Sequence, residues 1–254
     1  MPTDFIILCG GQGTRLRSVI GESQKVMAAI GDEPFLDLLI KYIRAQGGQH
    51  VILATGYKTA DVEAHYAGKF KDMKIEFSRE DEPLGTGGAI KKACGLVKSD
   101  DFFVLNGDSF CPVKFDSVLT MHVNRSALVT LVVSKAADGK DYGVVEFDSH
   151  LRVKRFREKN IHYIGDDLSL WVNAGIYCFN SQIISRMPSL EKFSLEKDIL
   201  EPLSKDKSEK IYVYQTEEPF FDIGTPERFE LARRYLKGLD KKDVRRGTKD
   251  EIKG

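Results

Sequence analysis

The sequence predicts an α/β fold with a mostly parallel, mixed central sheet, helices on both faces and a β insertion. Strand and helix patterns alternate through the first half of the chain. Several strand patterns with only turns between them follow, and helical patterns return towards the end. No shift in composition marks a linker, so we expect a single domain over residues 1–237 and a charged, frayed tail over residues 238–254.

In the first half, short apolar runs alternate with amphipathic helical patterns. The expected strands are residues 4–9, 50–55, 74–78 and 102–105. The expected helices run from Pro34 to the Gly47-Gly48 pair, over residues 59–69 and over residues 86–97. This alternation is typical of parallel strands joined by helices that cover both faces of a sheet.

The second half predicts a mixed or antiparallel extension of the sheet. Its expected strands are residues 127–134, 143–147, 153–156 and 171–179. Its expected helices are residues 181–187, 194–203 and 226–237. The last helix has a strong start signal, because Thr225 suits the N-cap, Pro226 the first helical position and Glu227 the first turn.

The composition excludes some partners and leaves the oligomeric state open. Lysine plus arginine and aspartate plus glutamate each total 38, so no excess charge favours nucleic acid or a membrane surface. The four cysteines lack Cys-x-x-Cys spacing, which favours reduced, buried thiols. No signal peptide pattern opens the chain and no apolar run approaches 18 residues, so we expect a cytoplasmic protein.

The first glycine-rich segment, residues 10–15, directly follows a predicted buried strand. Gly10, Gly11 and Gly13 allow backbone N–H groups to approach an anion, and Arg15 adds a fixed positive charge. A dinucleotide fingerprint would need a further glycine where Leu16 stands, and the Gly-Lys-Ser/Thr of a Walker loop is absent. The segment therefore predicts a triphosphate-binding loop of another kind, with an ordinary tight turn as the alternative.

Charged residues at other strand ends predict the rest of a phosphate site. Asp108 and Asp222 each follow an apolar strand pattern and could share a magnesium ion, although each could equally be a turn or capping aspartate. Lys25 lies in a linker that could aim its ammonium group at the phosphates, or it could be a solvated surface lysine. Glu158 and Lys159 follow another strand, where an exposed ion pair is the alternative.

The second glycine-rich segment, residues 80–88, combines three acids with Gly85, Gly87 and Gly88. An ionised carboxylate only accepts hydrogen bonds, and guanine presents N–H donors on its Watson–Crick edge. Uracil and thymine are more often matched by an amide, which both donates and accepts. The segment therefore favours guanine, with a solvated acidic turn before a glycine-rich helix start as the alternative.

Together these segments resemble the sugar-1-phosphate nucleotidylyltransferases, from Ile6 to about Tyr235. Residues 10–16 match that family's Gly-Gly-x-Gly-Thr-Arg-Leu signature, and its Pro-Lys-Pro element appears as Gln24-Lys25-Val26 without the prolines. The sequence is most similar to the D-glycero-α-D-manno-heptose 1-phosphate guanylyltransferases, through residues 82–90, 106–110, 193–198 and 221–227. The first, second and last of these stretches also resemble mannose-1-phosphate guanylyltransferases and N-acetylmuramate-1-phosphate uridylyltransferases.

The resemblance implies a Rossmann-like nucleotide-diphospho-sugar transferase fold whose β insertion lies on the substrate side. It implies Mg²⁺-dependent transfer of a nucleotidyl group, with GTP as the favoured donor and the heptose 1-phosphate as the favoured acceptor. Pyrophosphate would leave, and the nucleotide sugar would serve surface polysaccharide synthesis. Mannose 1-phosphate as acceptor, or a uridylyl, cytidylyl or thymidylyl transfer, is the alternative within the family.

Together with the two glycine-rich segments, the resemblance implies a role for each matching position. The implied catalytic residues are Arg15, Lys25, Asp108 and Lys159. The implied metal ligands are Asp108 and Asp222. The implied nucleotide-binding positions are Leu8, Gly10, Gly11, Gly13, Thr14, Arg15, Glu80, Pro83, Gly85, Thr86 and Gly107. The implied sugar-phosphate-binding positions are Asn106, Gly143, Glu158, Lys159 and Asn173.

Two other functions are compatible with the same fold. A glycosyltransferase that uses a finished nucleotide sugar would carry Asp-x-Asp at the metal strand, where this chain has Asn106-Gly107-Asp108. A non-catalytic nucleotide-sugar sensor would bind the same ligands without releasing pyrophosphate. The charged positions that the transfer chemistry needs are present, which favours the enzyme.

Overall fold

The computed structural model describes residues 3–11, 14–21, 23–136, 142–157 and 170–239. Among the predicted site residues, Gly13, Glu158 and Lys159 lie outside the described residues. Residues 240–254 of the predicted tail also lie outside the described residues. The side chain of Thr14 is likewise outside the description.

The described chain consists of alternating strands and helices followed by a strand-rich part. The strands are β1 Asp4–Leu8, β2 Ala29–Ile30, β3 Glu33–Pro34, β4 His50–Thr55, β5 Lys74–Arg79, β6 Asp101–Asn106, β7 Ser109–Phe110, β8 Val129–Ala136, β9 Val144–Phe147, β10 Val153–Arg157, β11 Leu170–Asn180, β12 Ile211–Thr216 and β13 Phe221–Asp222. The α-helices are α1 Arg17–Ile20, α2 Phe35–Ala45, α3 Thr59–Tyr66, α4 Gly85–Ala93, α5 Phe115–Asn124, α6 Glu201–Lys205 and α7 Pro226–Leu239.

The main sheet has a parallel part and a mixed part, which confirms the predicted architecture. Strands β6, β1, β4 and β5 lie side by side in that order and all run parallel. Strand β11 then pairs antiparallel with β6 and also with β8 and β9. Strand β12 runs parallel to β8, and β10 pairs antiparallel with β9. The carboxyl ends of the four parallel strands therefore meet at one edge of the sheet.

Alternating side chains of the parallel strands divide the core between the two faces of the sheet. Phe5 and Ile7 of β1 belong to a buried cluster with apolar residues of α2, α3, α5 and α7. Ile6 belongs to a second cluster with residues of α4 and of the helical segments after β11. Because successive strand residues point to opposite faces, helices cover both sides, as the sequence predicts.

Several predicted elements differ in detail from the structure. The sequence prediction lacked α5 and β12, although Phe115, Val118 and His122 show helical spacing and form the buried face of α5. Residues 181–186 form a 3-10 helix, and 194–203 contains a π-helix over Glu196–Leu200 before α6. Helix α7 runs to Leu239, so it extends two residues into the predicted tail.

The cysteines agree with a further expectation from composition. All four cysteines are buried free thiols, and burial raises the pKa of Cys94 and Cys111 to about 12. None of the described helices combines the length and the apolar character that crossing a membrane requires.

Candidate active site

One cleft of about 740 Å³ opens where β1, β4, β5 and β6 end. This is the edge at which open α/β sheets bind ligands. Most of the predicted site residues line it, namely Leu8, Gly10, Gly11, Arg15, Lys25, Glu80, Pro83, Gly85, Thr86, Asn106, Asp108, Gly143, Asn173 and Asp222. The fold therefore brings together residues that are far apart in sequence.

The first glycine-rich segment begins directly after β1. The Cys9 N–H donates to the Ala54 carbonyl at 2.8 Å, so the parallel pairing with β4 extends to the start of the segment. A Cβ added to Gly11 would meet no atom within 4 Å, so this backbone borders open space. Arg15 is exposed on a short 3-10 helix, Thr14–Leu16, which buried Leu16 anchors to the core. The segment leaves room for a ligand beside its backbone.

Lys25 is not a solvated linker lysine. Its ammonium group donates to the Asp108 carboxylate, and its side chain is mostly buried. The preceding residue, Gln24, is 2% exposed, and its Nε2 donates to the Cys9 carbonyl at 2.6 Å. The side-chain amide of Gln24 thus ties the Lys25 segment to the first glycine-rich segment, and Val26, which follows Lys25, is buried.

Asp108 and Asp222 belong to neighbouring backbone segments. Strands β7 and β13 pair antiparallel with Asp222 opposite Ser109, and the Ile223 N–H donates to the Asp108 carbonyl at 3.0 Å. Asp222 Oδ1 accepts the Gly224 N–H at 2.7 Å. Its Oδ2 accepts the Tyr142 hydroxyl at 2.6 Å and Arg228 Nη1 at 3.2 Å.

These two carboxylates fit the chemistry of a magnesium ion. Magnesium prefers oxygen ligands and commonly uses one or two protein carboxylates, with waters and substrate phosphates completing its shell. No group of three or more metal-binding side chains occurs within the described ranges. Two aspartates in one cleft therefore fit a magnesium ion whose shell is completed by waters and substrate oxygens, rather than by a complete protein cage.

Glu80 connects the two glycine-rich segments. Burial raises the pKa of its carboxyl above the ordinary value, and this outweighs the opposing hydrogen bond from the Leu84 N–H. That N–H donates to Oε2 at 2.9 Å. A Cβ added to Gly10 would lie 2.9 Å from Oε1, so the carboxyl group faces the first segment. Glu80 is thus a half-buried acceptor between the two segments.

The second glycine-rich segment is packed rather than flexible. Gly85 has φ +72°, and a Cβ added there would lie 2.6 Å from the Phe193 carbonyl oxygen. A Cβ at Gly87 would overlap the Phe193 ring, and one at Gly88 would overlap the Glu191 carbonyl. The Gly87 N–H also donates to the Phe193 carbonyl at 3.0 Å. The segment that contains Glu191 and Phe193 therefore fixes the start of α4.

A bulge in β11 forms the opposite wall of the cleft. The pairing of β11 with β8 shifts register between Asn173 and Tyr177, and Asn173 Nδ2 donates to the Tyr177 hydroxyl at 2.6 Å. Gly175 has φ +70°, where a Cβ would lie 2.7 Å from Asn106 Nδ2. The Asn173 N–H donates to the Gly143 carbonyl at 2.8 Å. Such bulges re-aim side chains, and this one directs Asn173 into the cleft.

Gly107 lies behind the cleft rather than in its lining. Its N–H donates to the Leu8 carbonyl at 3.0 Å, and a Cβ there would lie 2.5 Å from the same oxygen. A glycine at this position therefore allows the turn after β6 to pack against β1.

Several lining residues were not singled out from the sequence. They include Tyr57 after β4, Glu196 in the π-helix, Phe220 before β13 and Arg228 in the first turn of α7. Glu196 Oε2 accepts the Thr86 hydroxyl at 2.8 Å, which ties the π-helix to the second glycine-rich segment. Long-range packing brings these residues to the cleft, so spacing within the sequence carries little signal for them.

The described lining of the cleft is rich in negative charge. Its cations are Arg15, Lys25 and Arg228, and its carboxylates are Glu80, Asp81, Glu82, Asp108, Glu196 and Asp222. An anionic ligand in this cleft would therefore depend on these three cations to reduce repulsion by the carboxylates.

A glycine segment beside open space and two aspartates in a cleft at the carboxyl edge of parallel strands are typical of α/β proteins that bind phosphate-bearing ligands. Comparison with known proteins assigns the family. The model of the nucleotidyl transferase family matches residues 5–237, and the chain belongs to this family of enzymes.

Individual relatives cover nearly the whole chain. The chain is 38% identical over 234 residues to D-glycero-α-D-manno-heptose 1-phosphate guanylyltransferase of Aneurinibacillus thermoaerophilus, covering 92% of this chain and 98% of the relative. It is 35% identical to mannose-1-phosphate guanylyltransferase of Mycobacterium tuberculosis, covering 98% of this chain and 68% of the relative. The crystal structure of HddC from Yersinia pseudotuberculosis complexed with GMP-PN matches with a TM-score of 0.79 at 32% identity, covering 92% and 99% of the two chains.

Proposed function

We propose that this chain transfers a guanylyl group from GTP to a sugar 1-phosphate and releases pyrophosphate. The favoured acceptor is D-glycero-α-D-manno-heptose 1-phosphate, and the GDP-activated sugar would supply surface polysaccharide synthesis. The observation that carries the proposal is the convergence of the first glycine-rich segment, Arg15, Lys25 and the two aspartates in one cleft.

The triphosphate would bind along the first glycine-rich segment. The Gly11 backbone borders open space, and Gly10 lies between it and the Glu80 carboxyl group. The backbone N–H groups of Gly10, Gly11, Gly13 and Thr14 would bind the phosphates. Arg15 and Lys25 would supply positive charge to the phosphate oxygens. The ribose and base would then extend past Leu8 towards Pro83, Gly85 and Thr86 on the second segment.

The acceptor would bind on the side of the cleft formed by the β11 bulge. Asn106, Asn173 and the Gly143 backbone would contact the sugar. Glu158 and Lys159 would complete this pocket, with Lys159 on the sugar's phosphate. The two substrates would then meet beside the ion pair of Lys25 and Asp108.

The chemistry requires alignment and charge neutralisation rather than a protein nucleophile. A phosphate monoester is anionic near neutral pH, so one of its oxygens can attack the α-phosphorus of GTP directly. The bond to the β-phosphate oxygen breaks, and pyrophosphate leaves. Fixed cations reduce the repulsion between the two anionic substrates and hold them in line, as in other phosphoryl transfers.

Asp108 and Asp222 would hold a magnesium ion, which would neutralise phosphate charge in the reacting complex. In the described structure Asp108 pairs with Lys25, while Tyr142 and Arg228 donate to Asp222. Lys25 and Arg228 thus form ion pairs with the two carboxylates, and Tyr142 adds a neutral hydrogen-bond donor. Lys25, Tyr142 and Arg228 would also be available as donors to the phosphates once a magnesium ion neutralises the two carboxylates.

The preference for guanine rests on Glu80 and on the relatives. Glu80 is a half-buried carboxyl beside the first segment, and in its ionised form it accepts from the N–H donors of guanine. Relatives that share 38% and 35% identity with the chain are guanylyltransferases, and HddC was crystallised with GMP-PN. The relatives include enzymes for heptose and for mannose 1-phosphates, so mannose 1-phosphate is the second candidate acceptor.

Pyrophosphate release from a panel of nucleoside triphosphates and sugar 1-phosphates tests this function. We expect the highest kcat/KM with GTP and the heptose 1-phosphate in the presence of magnesium. Glu80→Gln should reduce the preference for GTP over UTP, since an amide also suits uracil. A clear preference of the wild type for UTP or CTP would contradict the assignment of guanine. Nucleotide binding without pyrophosphate release from any pair would instead favour a sensor.

A further inference from the structure

Arg228 is a cation on the acceptor side of the cleft. It lies in the first turn of α7, and its guanidinium stands over the Tyr142 ring with 4.7 Å from Cζ to the ring centroid. Nη1 lies 3.2 Å from Asp222 Oδ2, and the side chain is 21% exposed. The Tyr142 ring is held in turn by an edge contact with Phe220 at 5.2 Å. The guanidinium is therefore held in a defined place in the cleft lining.

The backbone beneath Arg228 is also well anchored. The Arg228 N–H donates to Thr225 Oγ1 at 3.3 Å, and the Phe229 N–H donates to the Thr225 carbonyl at 2.9 Å. Phe229 is buried in the core. Rotation of α7 would break these contacts, so the first turn presents Arg228 to the cleft as a fixed feature.

A positive side chain in the first turn is electrostatically unfavourable for the helix. The N-terminal turn of an α-helix carries partial positive charge, so acids are favoured there and cations are not. Asp222 does not need Arg228, because Gly224 donates to its Oδ1 and Tyr142 to its Oδ2. The combined charge of the helix end and the guanidinium instead suits an anion that enters the cleft.

The distribution of cations indicates which anion this is. Among the described lining residues, Arg15 and Lys25 belong to the triphosphate side, next to the first glycine-rich segment. Arg228 stacks on Tyr142, which directly precedes Gly143 on the sugar side. A guanidinium presents parallel N–H donors that match two oxygens of one phosphate group.

We propose that Arg228 binds the phosphate of the incoming sugar 1-phosphate and orients it for attack. This inference rests on the proposed transfer to a sugar 1-phosphate. Arg228 would engage two phosphate oxygens through its fork and leave the third to attack the α-phosphorus. The Tyr142 ring keeps the guanidinium plane aligned while its partner changes from Asp222 to the phosphate.

Steady-state kinetics of Arg228 variants test the proposal, with magnesium and the second substrate saturating. We expect Arg228→Ala to raise KM for the sugar 1-phosphate by about tenfold or more, the usual effect of losing a charged hydrogen bond. KM for GTP should stay within about twofold, since the first segment is untouched. Arg228→Lys keeps the charge but loses the fork, so we expect a smaller rise. Arg234→Ala, on an exposed position of the same helix, is the matched control and should behave as wild type.

A magnesium titration separates this role from an indirect one through Asp222. If the acceptor KM of Arg228→Ala is raised only at low magnesium and equals the wild-type value once magnesium saturates, the arginine acts by arranging Asp222 and the proposal is wrong. An unchanged acceptor KM in both Arg228 variants would also overturn it. If a thermal melt shows that Arg228→Ala is unfolded, the acceptor KM of Arg228→Lys alone tests the proposal. Failure of the wild type to release pyrophosphate with any sugar 1-phosphate would refute the proposed function instead.

Discussion

The first and second glycine-rich segments of the cleft, residues 10–15 and 80–88, differ in what surrounds their glycines. A Cβ at Gly11 would meet no atom within 4 Å, whereas one at Gly88 would overlap the Glu191 carbonyl. In the first segment glycine keeps space open beside the backbone, which suits a ligand. In the second it lets the chain around Phe193 pack against the start of α4. The same residue type thus serves binding in one place and folding in the other.

The charges next to the two segments differ as well. Lys25 and Asp108 form an ion pair beside the first segment, whereas the second begins with Glu80, Asp81 and Glu82. In the proposed reaction the first segment belongs to the phosphates and the second to the base. Changes near the first should alter turnover or GTP binding, and changes in the second should alter stability or selectivity.

The largest expected effect is on turnover, from Asp108→Asn or Asp222→Asn. Removing one carboxylate charge beside the first segment should lower kcat by on the order of 10²-fold or more, by analogy with other charge-stabilising groups. The measurement is the initial rate at saturating magnesium. Asp116→Asn, on an exposed position of α5, is the matched control and should leave kcat unchanged. A near-normal rate in either cleft variant would contradict the assignment of that aspartate as a magnesium ligand.

Next in size is the effect of Gly88→Ala on stability. The added methyl group overlaps backbone, which cannot move as freely as a side chain, so we expect a loss of about 2–3 kcal/mol in the free energy of unfolding. Urea denaturation measures it. A stability equal to that of the wild type would show that the segment around Phe193 can shift, and the contrast between the two segments would disappear.

Gly11→Ala should show the opposite pattern. We expect a free energy of unfolding within about 0.5 kcal/mol of the wild type, because nothing lies near the new Cβ. KM for GTP should rise about tenfold, equivalent to roughly 1.4 kcal/mol, since the methyl group would occupy space meant for phosphate. Normal GTP kinetics in this variant would mean that the triphosphate binds elsewhere.

The smallest expected effect concerns Glu80, which lies between the segments. Burial raises the pKa of its carboxyl in the folded state above 4.5, so the folded protein binds this proton more tightly than the unfolded chain. The wild type therefore loses stability as pH rises through the window from 4.5 to the folded-state pKa. Glu80→Gln lacks this loss and should gain stability relative to the wild type across that window. The measurement is the difference in the free energy of unfolding in urea between Glu80→Gln and the wild type. An equal difference at pH 4 and pH 7 would contradict the raised pKa of Glu80.

Local sequence patterns predicted the scaffold of the site. The buried strands, the aspartates at their ends and the first glycine-rich segment follow from periodicity and from the placement of ligands at strand ends. Lys25 was open to two interpretations, and the structure shows it paired with Asp108. The prolines beside Lys25 are missing, and Gln24 holds this segment through a hydrogen bond to the Cys9 carbonyl. No sequence pattern predicts that hydrogen bond.

Contacts between distant segments could not be predicted in the same way. Phe193 lies more than a hundred residues from Gly87, so the packing of the second segment depends on the complete fold. Arg228 has the appearance of an ordinary residue in a capped helix, and its contacts with Asp222 and Tyr142 are visible only in the folded structure. The sequence thus predicts which strands end at the site more readily than which helix residues reach it.

The central claim is that the α-phosphate of GTP is transferred while the β- and γ-phosphates leave together. Its most direct test follows GTP labelled at the α- or the γ-phosphorus during turnover with magnesium and the heptose 1-phosphate. The proposal predicts that the α label enters the nucleotide sugar and the γ label enters pyrophosphate. Transfer of the γ label to the sugar product, or retention of both labels in GTP with every sugar 1-phosphate, would contradict it.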